Sequence, residues 1–335
     1  MFEGIRHKKF FQKQWFMWLT LIFFAPVGIF LMWKHKRFAK IPRTALTVIF
    51  AFIFVIQAAF ACFEAGQPEP SIDTPDITQT SDGQLTVHFL DVGQADSILI
   101  QTPAGKTMLI DAGNNDDDSF VTSYIRNQGI SKLDIVVGTH PHEDHIGGLD
   151  TVINTFDIGQ VVMPTATHTT QTYKDVLTAI KNKGLKITAA KAGVDLDLGQ
   201  DVTVKLVGPI TTYEDLNNNS AVIHLTFGKT SFLFAGDAEE DAEADIMAAG
   251  YNIKAEVLKV GHHGSSTSSS QKFLEKVKPA YAVIMVGQGN DYGHPHDEVL
   301  TRLADIGTKV FRTDINGTVI ATSDGSKVSF KTQPK

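Results

Sequence analysis

The chain has 335 residues, 43% hydrophobic and 20% charged, which is enough for one large domain or two small ones with a substantial core. Its single cysteine, Cys62, excludes an intrachain disulfide and a zinc site built on cysteines. The net charge of −7 is unevenly spread, because residues 1–65 carry nine basic against two acidic residues whereas residues 83–335 carry a net charge of −10. An acidic globular part argues against broad non-specific nucleic-acid binding, but it leaves open a phosphate substrate held at a local metal ion.

Two apolar runs, 15–33 and 45–61, predict a membrane anchor of one or two helices within residues 1–62. Each run can cross, or nearly cross, a hydrocarbon core about 30 Å thick, so we expect contact with the lipid bilayer through residues 15–61. Cys62 is either a lipid-modified cysteine after signal cleavage or an ordinary residue near a helix end.

Basic residues set the expected orientation of this anchor. The connector 34–43 holds five Lys and Arg residues, and none follows the second run before Lys106. The positive-inside rule therefore predicts a cytoplasmic connector and an extracellular globular domain at the cell membrane. A first run that is re-entrant at Pro26 reconciles this orientation with the basic N-terminus. Residues 63–82, rich in Pro, Ser, Thr and acidic residues, predict a flexible linker.

From residue 83 onward, short apolar runs alternate with helical periodicity, and Gly, Pro, Asn and Asp separate them. The predicted strands are 85–90, 97–101, 107–110, 135–138, 161–163, 202–207, 222–227, 231–234, 257–260, 282–286, 309–311 and 318–321. The predicted helices are 117–128, one from about 146, 170–183, 239–249, 268–277 and 297–306. Two successive sets of strands with helices between them predict an α/β domain with two inner sheets and outer helices.

The segment THPHEDH at 139–145 is the strongest chemical signal. It follows a predicted strand and precedes a helix, and it holds three of the twelve histidines of the chain within six residues. Imidazole and carboxylate are the ligands that Zn²⁺ and similar divalent ions accept. The candidate metal ligands in this segment are His140, His142, Asp144 and His145.

Other polar groups also stand at predicted strand ends. Asp237 ends the strand FLFAG and is either a carboxylate that bridges two metals or the N-cap of the following helix. The pair His262 and His263 closes another apolar strand, which favours a functional role. Asp111 either orients a ligand histidine or is a simple turn residue, and His294 either faces a phosphate or caps a turn.

In combination, these motifs resemble the metallo-β-lactamase superfamily and, within it, the extracellular catalytic domain of the ComEC competence DNA-uptake family. The matching stretches are FLDVGQADSILI (89–100), LIDAG (109–113), THPHEDHIGGL (139–149), NNNSAVIHL (217–225), FLFAGD (232–237), VLKVGHHGSSTSSS (257–270) and YGHPHDEVL (292–300). The resemblance implies that residues 83–335 form a hydrolase domain with the metallo-β-lactamase αββα sandwich.

The resemblance also implies two divalent metal ions, Zn²⁺ or Mn²⁺. One would be bound by His140, His142 and Asp237, and the other by Asp144, His145, Asp237 and one of the paired histidines, with the spacing favouring His263 over His262. The residues expected to act on the substrate are Asp144, His262, His294 and Asn219, with Ser220 as a further donor. Asp111 and Ser265 are expected to support the ligands from behind.

Two departures from the family pattern matter. Residues 217–220 read NNNS where many members of the superfamily have a further histidine ligand, so the first metal is expected to keep open positions. Only two apolar runs are present, whereas a DNA-conducting channel needs many membrane helices. The chain is therefore expected to act as a tethered enzyme and not, alone, as a channel.

The leading hypothesis is hydrolysis of a phosphodiester in extracellular DNA, including single-stranded DNA, or in another nucleic acid. The alternatives are a phosphodiester in a cell-envelope head group of the phosphocholine type, a β-lactam or other ester, and a non-catalytic accessory of DNA uptake. The sequence gives no indication of protein partners.

Overall fold

A computed structural model describes residues 14–23, 25–34, 44–51 and 83–333. In the N-terminal part, helices α1 (Gln14–Phe23), α2 (Ala25–Lys34) and α3 (44–51) contribute to a small apolar cluster around the buried side chains of Leu21 and Met32. None of these described helices has the length and apolarity needed to cross a bilayer. Residues 52–61 of the second apolar run, Cys62 and the predicted linker 63–82 lie outside the described residues.

Residues 83–333 belong to a separate compact unit. Its strands are β1 (Leu85–Phe89), β2 (Ile98–Gln101), β3 (Thr107–Ile110), β4 (Lys132–Val137), β5 (Asp157–Met163), β6 (Ile187–Ala189), β7 (Asp195–Leu196), β8 (Val202–Leu206), β9 (Ile223–Phe227), β10 (Thr230–Phe234), β11 (Val257–Lys259), β12 (Tyr281–Ile284), β13 (Lys309–Arg312), β14 (Thr318–Ser323) and β15 (Val328–Gln333). Its helices are α4 (Asp118–Asn127), α5 (Glu143–Ile146), α6 (Leu149–Thr155), α7 (Gln171–Asn182), α8 (Glu240–Ala248), α9 (Gln271–Val277), α10 (Asp297–Asp305) and α11 (Thr313–Asn316).

The strands form two mixed sheets. The first has the order β15-β14-β1-β2-β3-β4-β5-β6, and the second has the order β13-β12-β11-β10-β9-β8-β7. In the first sheet β3, β4, β5 and β6 run parallel, and in the second β10, β11, β12 and β13 do so. The parallel strands β3, β11 and β12 are buried along almost their whole length, as expected of strands covered on both faces, whereas the edge strands β6 and β13 are not.

Strand β10 illustrates how side-chain alternation builds the core. Phe232 and Phe234 point to the interior between the sheets, where Phe234 meets Phe89 of the first sheet with ring centroids 6.2 Å apart. Leu233, one residue out of phase, joins a second apolar cluster under the helices α8, α9 and α10. Since successive strand side chains face opposite sides of a sheet, one strand supplies both layers of the core.

Two of the outer helices, α7 and α9, are capped by the side chain of the residue before them. Helix α7 follows Thr170, whose hydroxyl accepts a hydrogen bond from the backbone N–H of Tyr173. Its buried face includes Val176, Ala179 and Ile180, which pack into the core of the first sheet. Two sheets face to face with helices outside them form the predicted αββα sandwich.

The predicted elements agree with the structure to within a few residues, except at the margins. The short strands β6, β7 and β15 and the helix α11 were not predicted. All three strands lie at sheet edges, and many of their side chains are exposed. Their sequences therefore contain no continuous apolar run that would predict a strand. The carboxyl ends of β3 and β4 meet at one edge of the first sheet, and those of β10, β11 and β12 meet at one edge of the second.

Candidate metal centre

Asp111, directly after β3, holds the loop that follows β4. Its Oδ1 accepts the backbone N–H of Thr139 at 2.7 Å, and its Oδ2 accepts the Thr139 hydroxyl at 2.7 Å. The residue has a left-handed φ of 59°, and its side chain is fully buried. Asp111 therefore fixes the start of the segment THPHEDH against the neighbouring strand.

His145 is oriented by the same carboxylate. Its Nδ1 lies 2.8 Å from Oδ2 of Asp111. A carboxylate accepts hydrogen bonds, so Nδ1 carries a proton, and in the neutral form of the ring that binds metal the lone pair is on Nε2, which faces the opposite way. There Nε2 lies 3.2 Å from Oδ2 of Asp237 and 3.6 Å from Oδ2 of Asp144. This is the arrangement by which an outer carboxylate sets the tautomer of a ligand histidine.

Asp237 lies at the centre of the histidines. Its Oδ2 is within 3.9 Å of an imidazole nitrogen in each of four histidines, namely His140, His145, His262 and His263. Its backbone N–H donates to Oγ of Ser220 at 3.0 Å. The preceding Gly236 has a φ of +55°, and a Cβ there would meet Ser220 at 2.9 Å. Because α8 is preceded by Glu239 at its N-cap, Asp237 is not the helix cap.

The paired histidines after β11 point in different directions because both have left-handed backbone angles, with φ of 45° and 51°. His263 donates from Nδ1 to the carbonyl of Met285 at 2.9 Å, and its Nε2 lies 3.1 Å from Oδ2 of Asp144. His262 places its Nδ1 2.8 Å from Oε1 of Glu239. The structure thus brings His263 to the carboxylates and leaves His262 beside them.

Four side chains form a compact group of potential metal ligands. One ligand atom from each lies within 4.8 Å of all the others, and the four are Asp144, His145, Asp237 and His263. Among the described residues, Nε2 of His145 and Oδ1 of Asp237 are buried without a hydrogen-bond partner. Buried nitrogen and oxygen atoms without a hydrogen-bond partner in one such group fit a divalent cation, and imidazole with carboxylate suits Zn²⁺ or Mn²⁺.

His140 and His142 adjoin this group. Nε2 of His140 lies 2.9 Å from Nδ1 of His142 and 3.9 Å from Oδ2 of Asp237. The side chain of His140 is fully buried, whereas His142 lines an open pocket. The two histidines therefore lie next to the group of potential ligands, with His140 within 3.9 Å of Asp237.

Burial and neighbouring charges shift the pKa values of the site residues in different directions, so that some are neutral and others charged. Burial, together with the nearby His145, lowers the pKa of His140 well below its ordinary value. Burial alone would lower the pKa of His145, but the carboxylates of Asp237 and Asp144 outweigh it and hold the pKa well above its usual value. Burial would raise the pKa of Asp237, but His145 and His263 hold it well below its ordinary range. The carboxylates are thus kept ionised, as metal binding requires.

A buried ion pair lies behind the ligand histidines. Nζ of Lys259 is 2.6 Å from Oδ2 of Asp96, and both side chains are closed to solvent. Asp96, Asp111 and His145 form a second group with ligand atoms within 4.8 Å. Because the Lys259 ammonium already supplies a cation to Asp96, this second group is best explained as support for the first.

An open pocket of about 340 Å³ gives access to the group. The lining residues are Gln94, His142, Glu143, Asp144, Asn217, Asp237, His262, His263, Tyr292 and His294. Burial, followed by the positive charges of His262 and His263, lowers the pKa of His294 to about 4, so this imidazole is neutral near pH 7.

The structure corrects the expected roles of Asn219 and Ser220 as substrate contacts. The side-chain amide of Asn219 donates to the carbonyls of Tyr213 and Asp215 and accepts the backbone N–H of Tyr213. Its hydrogen bonds are therefore made within its own loop and not to a substrate. Ser220 is fully buried and binds Asp237 from behind. Asn217 lines the pocket in their place.

Ser265 supports the site only indirectly. Its hydroxyl is 2.9 Å from that of Thr267, which donates to Glu239 at 2.7 Å, and Glu239 in turn binds His262. Glu239 itself was not predicted, although an acidic residue two positions after Asp237 was a usable signal. Lys259, a lysine inside the apolar strand VLKV, was another such signal.

Comparison with known proteins agrees with this geometry. ComE operon protein 3 of Bacillus subtilis is 31% identical over 258 residues, which cover 72% of this chain and 33% of that protein. Recombination protein 2 of Haemophilus influenzae is 32% identical over 248 residues, covering 72% of this chain and 29% of that protein. Competence protein ComA of Neisseria gonorrhoeae is 29% identical over 249 residues, covering 72% of this chain and 33% of that protein. The chain spans about a third of the length of these curated relatives.

The family model described as the Metallo-beta-lactamase superfamily matches residues 90–288, which is more than half of the chain. The match contains the segment THPHEDH, Asp237 and the paired histidines, and one pocket is lined by residues 142–144 of that segment together with Asp237, His262 and His263. The chain therefore belongs to the metallo-β-lactamase superfamily.

Proposed function

We propose that the chain is a membrane-tethered, metal-dependent phosphodiesterase that cleaves DNA or another nucleic acid in a competence-related role. The observation that carries the proposal is the convergence of Asp144, His145, Asp237 and His263 within 4.8 Å beside an open pocket. Buried carboxylates held ionised beside imidazoles are typical of a site for divalent cations that act on a substrate.

Two metal ions fit the donor set. His140, His142 and Asp237 would hold one ion, and Asp144, His145, Asp237 and His263 would hold the other. When bound, such a pair supplies a hydroxide nucleophile near neutral pH and positive charge for the phosphate oxygens. The protein contributes by fixing the ligands from behind, through Asp111 on His145 and the carbonyl of Met285 on His263.

His262 is positioned to contact the substrate. Glu239 accepts the hydrogen bond from its Nδ1 at 2.8 Å, so its Nε2 is the atom left for the pocket. In its cationic form the ring donates from Nε2 to a phosphate oxygen and compensates the charge that develops there. Glu239 is a positioning residue in this scheme, since it acts only through His262.

His294 supplies a neutral donor. Gln94 accepts the N–H of Gly287 with Oε1, which leaves its amide NH₂ to donate to Nδ1 of His294 at 3.3 Å. A neutral imidazole that accepts at Nδ1 carries its proton at Nε2. His294 therefore offers an N–H to the substrate without adding a positive charge.

The nucleic-acid substrate is supported by the names of the relatives, two of which are a competence protein and a recombination protein. A pocket that holds metal ligands, two further imidazoles and an exposed tyrosine suits a phosphate flanked by organic groups. The local charge of the metals offsets the acidity of residues 83–335 at the point of contact.

The net charge of −10 on residues 83–335 favours a second candidate, a small phosphodiester in a cell-envelope head group. A head group of the phosphocholine type brings one phosphate and no polyanionic chain, so long-range repulsion is small. The two candidates share the site and differ in the substrate that it turns over fastest.

The membrane placement is supported by the two apolar runs and the basic connector 34–43. An anchor at residues 15–61 would hold the enzyme at the outer face of the cell membrane. Protease treatment of intact cells tests this, because an extracellular domain is digested while cytoplasmic proteins stay protected.

The activity test uses the full-length protein loaded with Zn²⁺ or Mn²⁺. Substrates are bis-p-nitrophenyl phosphate, single- and double-stranded DNA, p-nitrophenylphosphorylcholine and a chromogenic cephalosporin. We expect turnover of the phosphodiesters, and we expect Asp144→Ala to abolish it because one ligand of the metal group is lost. Asp305→Ala, an exposed aspartate at the end of α10, is the matched control and should keep wild-type rates.

Fastest turnover of the choline ester would favour the head-group candidate. Metal binding without turnover of any of these substrates would instead point to a non-catalytic accessory of DNA uptake, and the enzymatic proposal would be abandoned.

A further inference from the structure

An exposed aromatic ring stands at the rim of the pocket. Tyr292 is 68% exposed, the largest fraction among the exposed large hydrophobic side chains of the described residues, and it lines the same pocket as Asp144 and His263. Single exposed aromatics are ordinary on protein surfaces. What distinguishes Tyr292 is how firmly its loop is held and what its ring faces.

Asn290 fixes the loop that carries this ring. Its Oδ1 accepts the N–H groups of Tyr292 at 3.1 Å and His294 at 3.0 Å, while its Nδ2 donates to the carbonyls of Gly287 and His294. The N–H of Gly287 in turn donates to Gln94 on the first sheet's side of the site. A side chain presented by such a loop loses little conformational entropy when it binds a ligand.

The ring also continues a stack that leads to the metal ligands. Tyr292 and His294 lie with centroids 5.6 Å apart and planes at 24°, and His294 and His263 lie 6.5 Å apart at 23°. His294 stacks on one side of the Tyr292 ring, and the residue is 68% exposed, so the other side of the ring is open to a ligand. The open face is thus nearly parallel to the rings beside the reacting phosphate.

We propose that Tyr292 is a stacking platform for a nucleobase next to the scissile phosphate of a single-stranded nucleic acid. This inference rests on the proposed phosphodiesterase function and specifies its substrate. Bases of a duplex are already stacked on each other, so only an unpaired base can lie on the ring. Every base has a π-face, so the platform favours single strands over duplexes with little dependence on sequence.

The charge of the domain means that a bound strand needs a contact other than a basic surface. Most proteins bind nucleic acid through a basic surface, whereas residues 83–335 carry a net charge of −10. Affinity for a strand must then come from a short-range contact in addition to the metals. Stacking of one base on Tyr292 supplies such a contact without requiring a basic groove.

The test compares two substrates that differ only in their bases. One is a fluorescein-labelled oligo-dT strand, and the other is a strand of the same length with abasic sites throughout. Full-length, metal-loaded wild type is compared with Tyr292→Ala, Tyr292→Phe and Phe120→Leu. Phe120 is the matched control, since it is an exposed aromatic on α4 that is not among the residues lining the pocket.

Tyr292→Ala is expected to raise both KM and Kd for oligo-dT by about 5- to 100-fold and to leave the abasic strand unchanged. Tyr292→Phe keeps the ring, and it should stay within about twofold of wild type, as should Phe120→Leu. Kd is measured by fluorescence anisotropy and needs no turnover. If the wild type hydrolyses neither strand, the proposed activity fails while the Kd values still decide whether the base stacks on Tyr292.

Three results would overturn the platform. The first is that Tyr292→Ala weakens the binding of both strands equally, or of neither. The second is that Tyr292→Phe is as damaging as Tyr292→Ala, which would assign the role to the hydroxyl. The third is that Tyr292→Ala slows only the turnover of p-nitrophenylphosphorylcholine. In the last case the ring would serve a choline cation.

Discussion

Lys259 and Asp96 form an ion pair of 2.6 Å that is sealed from solvent on the far side of the ligand histidines. Oδ1 of Asp96 lies 3.4 Å from Nδ1 of His263, and its Oδ2 lies 3.9 Å from Nδ1 of His145. Both contacts are made to the nitrogen that does not face the metal group. Because these nitrogens donate to Asp111 and to the carbonyl of Met285, the pair acts on the two rings through its charge, and its loss should be felt both in stability and in metal binding.

Replacing Lys259 by Met leaves the Asp96 carboxylate buried without its cation. Removing one partner of a buried pair costs about 3–5 kcal/mol of unfolding free energy, which urea denaturation of the full-length protein measures. Lys254→Met, at an exposed lysine five positions earlier, is the control and should change stability by about 0.5 kcal/mol or less. Equal losses in the two variants would show that Lys259 has no special role.

Asp111→Asn tests the orientation of His145. The carboxylate accepts from the Thr139 N–H, the Thr139 hydroxyl and Nδ1 of His145, whereas an amide has one oxygen and must turn its NH₂ toward one of these donors. We expect metal affinity to fall by about 10- to 100-fold in a chelator competition assay. Asp134→Asn, in the first half of β4, should bind metal like the wild type, and an unchanged affinity in Asp111→Asn would contradict the assignment.

The paired histidines should separate metal binding from turnover. His263→Ala removes a member of the ligand group, so the purified protein should lose about one metal equivalent. His262→Ala should keep its metals and lose about 10²- to 10³-fold in kcat, since its ring is held by Glu239 and faces the pocket. Metal content by mass spectrometry and steady-state kinetics give the two readouts, and a reversed pattern would exchange the roles.

The stability of the metal-free protein should depend on pH in a defined direction. Burial opposes the charge on His263, but Asp237 and Asp144 outweigh it and raise its pKa from 6.5 to about 10. A raised histidine pKa stabilises the fold fully below pH 6.5, and this contribution is lost as the pH rises toward 10. The lowered pKa values of Asp144 and Asp237 make stability depend on pH only below their ordinary value of 3.8. They therefore do not affect the change in stability between pH 6.5 and pH 10.

Metal binding displaces the proton from His263. The stability of the metal-loaded protein therefore does not decrease when the pH rises through the pKa of His263. The Tm difference between metal-loaded and chelated protein should therefore widen between pH 6.5 and pH 9. Thermal melts at both pH values measure it. A difference that shrinks over this range would mean that His263 is not a ligand.

Much of the fold and of the ligand set follows from local sequence. The strand ends and the segment THPHEDH are continuous in the chain, so the apolar runs and the dense histidines predict them directly. The direction of a side chain in a tight turn is different. Asn219 belongs to a 3-10 turn of three consecutive asparagines, and only the turn geometry shows that Asn217, not Asn219, reaches the pocket.

The network behind the ligands was also beyond the reach of sequence reasoning. Asp96 and Lys259 are 163 positions apart, and neither stands in a cluster of polar residues. Their pairing depends on the two sheets facing each other, which a reading of single segments does not supply. The same holds for Glu239 and His262, which meet because α8 starts beside the turn after β11.

The most direct test of the account is the metal content of the full-length protein after supply of Zn²⁺ or Mn²⁺ and removal of the excess. We expect about two equivalents in the wild type and far less than one in Asp237→Ala, because this carboxylate lies within reach of both ligand sets. A wild-type protein that retains no divalent metal, or an Asp237→Ala variant that retains both ions, would contradict it.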